Sequence, residues 1–146
     1  RGSQLRREVV LIPVLRAGLG MLDSILQLIP HARVGFIGLK REETTLRATF
    51  YHKSLPPDLS QFEVILIDPM LATGGSAIDA LALLKEAGAR HIQILCIVAA
   101  PEGIALVERH HPDVDIYTPV IDQGLDARKY IVPGLGDFGD RLYGTL

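Results

Sequence analysis

The feature that most constrains this chain is the apolar run Val64, Ile65, Leu66 and Ile67, followed by Asp68, Pro69, Met70, Leu71, Ala72, Thr73, Gly74, Gly75 and Ser76. A continuous apolar run suits a strand buried on both faces, which is the condition of a parallel sheet covered by helices. The small-residue loop then opens a helix at Ser76. Its Ile78, Leu81, Ala82 and Leu84 recur at helical spacing until Gly88 stops it. Strand, loop and helix in this order make a βα unit, and the rest of the chain has to supply its neighbours.

It does so by repeating the pattern. Residues 9–14 form an apolar strand, followed by Arg16, Ala17, Gly18, Leu19 and Gly20 and by a helix carrying Leu22, Ile25, Leu26 and Ile29 that Pro30 ends. Further strands are expected at 34–39, 92–98 and 114–117, and a helix at about 101–109. Short βα connections predict an α/β fold: a mostly parallel sheet flanked by helices. Between residues 40 and 62, Leu46, Ala48, Phe50 and His52 alternate with Arg47, Thr49, Tyr51 and Lys53, which reads as a hairpin arm broken by Pro56 and Pro57. Residues 122–146 are glycine-rich without a clear period and read as an ordered loop or cover. At 146 residues and 48% hydrophobic, residues 1–146 are expected to make a single domain.

Composition narrows the function classes. Fifteen Lys and Arg against seventeen Asp and Glu leave a net charge of -2. There is no basic field for nucleic acid or an anionic membrane, so phosphate chemistry has to rest on a local site. Cys96 is the one cysteine, inside an apolar run, and reads as a buried core thiol. The apolar stretches fall short of the roughly 20 residues that span a bilayer, and residues 1–8 are too polar for a signal peptide. A soluble, cytoplasmic protein is the expectation.

In the loop after residue 67, small side chains at 72–76 let backbone N–H groups approach an anion. Thr73 and Ser76 add hydroxyls, and the helix N-terminus adds partial positive charge. Asp68 stands at the rim of this cup, where a carboxylate accepts hydrogen bonds from sugar hydroxyls. Together they describe a ribose 5-phosphate. An ordinary strand-to-helix turn capped by Ser76 is the alternative, and the whole pattern from Val64 to Ser76 favours the cup. No lysine follows the glycines, so a Walker loop is excluded. Gly134, Gly136 and Gly139 have dinucleotide-fingerprint spacing, but too few residues follow to complete that unit. His110, His111, Asp113 and Asp115 read as a solvated helix end rather than a metal cluster, Glu102 as a first-turn helix residue, and Arg128 and Lys129 as surface residues.

Residues 13–20, 68–76, 99–103, 121–125 and 130–140 together resemble the uracil phosphoribosyltransferase family, in the family's order and spacing. The resemblance implies a type I phosphoribosyltransferase fold and transfer of the phosphoribosyl group of 5-phosphoribosyl 1-diphosphate (PRPP) to uracil, giving UMP and diphosphate with Mg2+ as cofactor. It implies that Arg16 and Arg41 bind the diphosphate side of PRPP and that residues Asp68 to Ser76 hold its ribose and 5-phosphate. Ile131, Gly136, Asp137 and Phe138 would hold uracil, with Asp137 also facing PRPP or its metal. Asp68, Arg41 and Asp137 would carry the chemistry. A GTP effector and a homo-oligomer also enter through the resemblance. The chain departs from the family in starting just before its first strand, where members carry additional N-terminal helices. It also lacks a proline near Ala48 and has Phe138 where many members have Ala. A non-catalytic PRPP-binding module on the same fold is the rival reading.

Overall fold

The computed structural model describes residues 5–41 and 48–145; the side chains of Arg41 and Ala48 lie outside that description. The elements run β1 (Val9–Leu15), α1 (Leu19–Leu28), β2 (Arg33–Val34), β3 (Phe36–Arg41), β4 (Ala48–Ser54), β5 (Glu63–Ile67), β6 (Met70–Leu71) and α2 (Gly75–Glu86). They continue as β7 (His91–Leu95), β8 (Val98–Ala99), α3 (Pro101–His110), β9 (Asp115–Tyr117), β10 (Val120–Ile121), β11 (Gly124–Leu125), β12 (Ile131–Val132) and α4 (Phe138–Tyr143).

The main sheet has the order β4-β3-β1-β5-β7-β9, with β2 also beside β1. Every pairing is parallel except β3 with β4. This is the α/β, mostly parallel architecture expected. β1 is central and nearly all of it is buried. Alternate residues of a strand face opposite sides, so Val10, Ile12 and Val14 join the core under α2 and α3. Val9 and Leu11 join a second core under Leu22 and Ile25 of α1. Leu81 and Leu84 of α2 and Val107 of α3 are fully buried on the first side, each contributing roughly 1.5–3 kcal/mol.

Three differences from the sequence reading have local causes. The strand expected at 34–39 is two pieces separated by Gly35, where a Cβ would lie 2.7 Å from Ile12 Cδ1 and from the Ser54 carbonyl. The strand expected at 92–98 stops at Leu95 and resumes as β8. Its neighbours β5 and β9 break at the same level, at Asp68-Pro69 and Thr118-Pro119, where proline has no N–H to continue the ladder. Beyond the break β6, β8 and β10 pair as a small sheet of their own. Finally, the cap of α2 is Gly74, at φ 83°, and not Ser76.

The hairpin arm forms from β3 and β4, and its described outer strand is exposed throughout, which explains its mixed pattern. The tip, residues 42–47, lies outside the described residues. Of the segment 122–146, the described residues 122–145 form a cover, and it is more regular than expected: β11 pairs antiparallel with β12, and α4 follows.

Candidate active site

β1 has β3 on one side and β5 on the other; the chain visits β3 first, then builds outward from β5 through β7 to β9. The connections leaving β1 and β5 therefore diverge and open a crevice at their carboxyl ends, where sheets of this kind bind ligands. Three contiguous cavities of about 240, 250 and 90 Å3 lie there, and Asp68 lines all three.

The smallest cavity is the cup. Leu71, Thr73, Gly74 and Ser76 line it with Asp68. The first turn of a helix leaves amides without an intrahelical carbonyl, and α2 presents that turn here. The loop is pressed close to α3: a Cβ on Gly74 would lie 2.8 Å from the Gly103 carbonyl, and one on Gly103 only 2.5 Å from the Ala72 carbonyl. The Ala100 N–H donates to the Leu71 carbonyl at 2.9 Å. Met70 and Ala72 form the wall shared with the 240 Å3 cavity. Pro69 is buried and its carbonyl accepts from Ile97 and Val98, so it braces the loop; Gly75 opens α2.

Asp68 sits at the floor of the crevice, ringed by protein yet open to the cavities. Burial pushes its carboxyl up from the ordinary 3.8 to about 7, and among the described residues the Met70 N–H opposes that rise, donating to it at a long 3.4 Å. An ionised carboxylate accepts about four hydrogen bonds. Most of that capacity is open to whatever enters the cavities, and hydroxyls or a cation would satisfy it.

The 250 Å3 cavity brings Arg16, Asp68, Ser76 and Asp137 together. The Arg16 Nη2 donates to Asp140 Oδ1 and to Thr145 Oγ1, both at 3.3 Å, and the guanidinium lies 5.5 Å from the Tyr143 ring centroid. Thr145 Oγ1 donates to the same Asp140 oxygen at 2.6 Å. The Asp137 carboxylate caps α4 by accepting the Asp140 N–H at 2.8 Å. Arg41 ends β3, and its side chain lies outside the described residues. Asp140, Tyr143 and Thr145 were not singled out in the sequence. The spacing of Asp137 and Asp140, cap and third helical position, is the signal that marks α4.

The 240 Å3 cavity gathers Ile131, Gly136, Asp137 and Phe138 with Ala17 and three further residues, Lys129, Tyr130 and Gly139. Gly134 and Gly136 have φ of 48° and 81°. The turn is held by the Gly134 N–H, which donates to Asp122 Oδ2 at 2.9 Å, and the hairpin by the Leu125 N–H, which donates to Glu102 Oε1 at 3.2 Å. The Phe138 ring reaches the start of α1, where a Cβ on Gly20 would lie 3.0 Å from it. His111 and Asp113 stand elsewhere, against the Ile78 carbonyl and Lys85. Among the described residues no group of three His, Cys, Asp or Glu side chains is arranged to hold a metal.

The fold is one this chain shares with solved phosphoribosyltransferases. A purine phosphoribosyltransferase from Pyrococcus horikoshii superposes with a TM-score of 0.64 at 20% identity, over 78% of this chain and 70% of that one. The fold is that of the type I phosphoribosyltransferases. The AQ2163 protein of Aquifex aeolicus superposes more closely, with a TM-score of 0.88 at 43% identity, over 94% of this chain and 65% of its own. A Clostridium tetani protein named uracil phosphoribosyltransferase is 60% identical over 139 residues, 95% of this chain and 66% of that protein. The family model described as uracil phosphoribosyltransferase matches residues 1–145, and the chain belongs to that family. It spans 66% of the length of the curated relatives it matches.

Proposed function

We propose that residues 1–146 act as a single domain transferring the 5-phosphoribosyl group of PRPP to uracil, with UMP and diphosphate as products. The observation that carries this reading is the meeting of three cavities at one under-satisfied carboxylate, Asp68. The loop of Asp68, Pro69, Met70, Leu71, Ala72, Thr73, Gly74, Gly75 and Ser76 holds the 5-phosphate through α2's first turn, and Asp68 accepts the ribose hydroxyls. Arg16 and Arg41 face the diphosphate. Ile131, Gly136 and Phe138 read uracil's acceptor-donor-acceptor edge with backbone groups, and Asp137 lies between base and PRPP.

Breaking the anomeric C–O bond builds positive charge on the ribose and negative charge on the diphosphate. The Asp68 and Asp137 carboxylates favour the first, and the arginines the second, through preorganised electrostatics. No protein nucleophile is needed. The donor set suits Mg2+ carried by PRPP oxygens rather than a resident ion, since Asp68, Asp137 and Asp140 line the crevice without forming a cage among the described residues. When bound, that ion neutralises the leaving diphosphate.

The test is to incubate the chain with PRPP, Mg2+ and each nucleobase in turn and follow nucleotide formation. UMP from uracil alone supports the proposal. PRPP binding with no product supports the non-catalytic module, which the engagement of Arg16 by Asp140 and Thr145 would suit. A homo-oligomer and a GTP effector belong to the same proposal, and gel filtration with and without GTP checks both. The proposed setting is cytoplasmic, in keeping with a free buried thiol at Cys96 and, among the described residues, no helix long and apolar enough to cross a membrane.

A further inference from the structure

Lys129 breaks a backbone rule next to the 240 Å3 cavity. Among the described residues it is the one non-glycine with positive φ, at 69°. That conformation crowds Cβ against the carbonyl oxygen and is the usual place for glycine. The turn that imposes it is tightly made. Asp126 exchanges backbone hydrogen bonds with Tyr130 and Lys129, at 2.8 and 3.0 Å, and Asp126 Oδ1 accepts the N–H groups of Arg128 and Tyr130 at 2.8 and 2.9 Å. Glycine would satisfy this turn at no steric cost, yet the chain keeps a long cationic side chain there.

The two neighbouring cations differ. Arg128 is spent on its own hairpin, 4.0 Å from Asp126 and 5.8 Å from the Tyr130 ring centroid. Lys129 makes no ion pair, side-chain hydrogen bond or ring contact among the described residues, and it lines the 240 Å3 cavity. It lines neither the cup nor the cavity of Arg16. The residue therefore stands beside the base-side cavity, exposed and with its charge unpaired among the described residues.

We propose that Lys129 is a base-binding residue whose ammonium donates to a carbonyl oxygen of the pyrimidine, and that the left-handed backbone is retained to aim it. This rests on reading the 240 Å3 cavity as the uracil site. In the transfer the bond from C1′ to the diphosphate oxygen breaks and the bond from C1′ to uracil N1 forms, while the N1 proton leaves with the diphosphate. Electron density on the ring oxygens rises as that proton departs, so a cation beside them favours base binding and transfer together.

Three variants test this: Lys129→Arg, Lys129→Met and Lys129→Gly. The methionine and glycine variants are expected to raise KM for uracil about tenfold, the effect of one charge-assisted hydrogen bond, while KM for PRPP stays unchanged. Arginine retains most of the wild-type value. Only glycine relaxes the backbone, and its thermal midpoint is expected to rise by roughly 2–4 °C. Wild-type KM for uracil in both Lys129→Met and Lys129→Gly, or an equal rise in both KM values, overturns the assignment and leaves the proposed activity standing. Where the wild-type chain gives no product, calorimetric titration of uracil replaces KM for the same variants. A wild-type chain that neither makes UMP nor binds uracil overturns the base-site reading, and Lys129's role with it.

Discussion

Replacing Asp68 by Asn should stabilise the ligand-free fold while crippling the proposed reaction. The folded carboxyl titrates at about 7 against 3.8 when unhindered. The native state thus prefers the neutral acid. Stability lost to ionising Asp68 is absent below pH 3.8, grows as pH rises through the window, and is complete above about 7. A gap of roughly three pH units corresponds to a ceiling of about 4 kcal/mol. Water in the cavities relieves part of it, so about 2–4 kcal/mol is the expectation at pH 8. For a chain of this size that raises the thermal midpoint by roughly 5–10 °C. Midpoints of wild type and Asp68→Asn from pH 4 to pH 8.5 should nearly coincide at the acid end and diverge as pH rises. A difference that is flat with pH, or a variant less stable than wild type at pH 8, refutes the argument. The same carboxylate, once it accepts ribose hydroxyls, should ionise more readily, so PRPP binding near pH 6.5 should release protons, seen as a dependence of calorimetric heat on the buffer.

Other substitutions probe the supports of the site. Gly103→Ala puts a Cβ 2.5 Å from the Ala72 carbonyl and 2.9 Å from that of Leu71; both contacts are backbone, so urea unfolding should show a loss of about 1–3 kcal/mol, and KM for PRPP should rise more than KM for uracil. Gly136→Val meets no crowding, its nearest atom being Arg141 Cδ at 3.9 Å, but it forces a β-branched residue to φ 81°. KM for uracil should rise about tenfold or more and KM for PRPP much less, and equal changes would count against the base turn. Asp122→Ala leaves the Gly134 N–H without its 2.9 Å acceptor, at a cost of about 1–3 kcal/mol in urea unfolding, with weaker uracil use as the functional readout.

Much of the sheet was legible because its central strands are apolar without interruption. β1 and β5 read directly as buried strands, and Pro30 and Gly88 punctuate the helices. The bend shared by three strands was not, since Cys96 and Ile97 look like a continuation of the strand before them. Pro69 and Pro119 were the available signals, and each taken alone is only a turn residue. That residues of the 68–76 loop and of the 131–138 segment line one crevice was legible because loop residues at strand ends converge in this topology whatever their separation in sequence. The hold that Asp140 and Thr145 have on Arg16 was not, because it joins residues 124 and 129 positions apart.

The breaches of local rules share an address. A carboxylate sits where burial drives it toward neutrality at the end of β5, a left-handed glycine caps α2 where Ser, Thr or Asp would be the stronger cap, and a lysine at β12's entry adopts a glycine conformation. Each costs stability, and none improves packing. All three line the crevice between β1 and β5. The bend places them there: Pro69 ends the ladder, Asp68 leaves the sheet with its carboxylate unpaired by a neighbouring strand, and the missing Cβ of Gly103 lets α3 close onto the loop behind it. Cost concentrated where strands diverge is the mark of a site kept for its ligand, and substitutions that relieve it should stabilise the empty chain and weaken the loaded one.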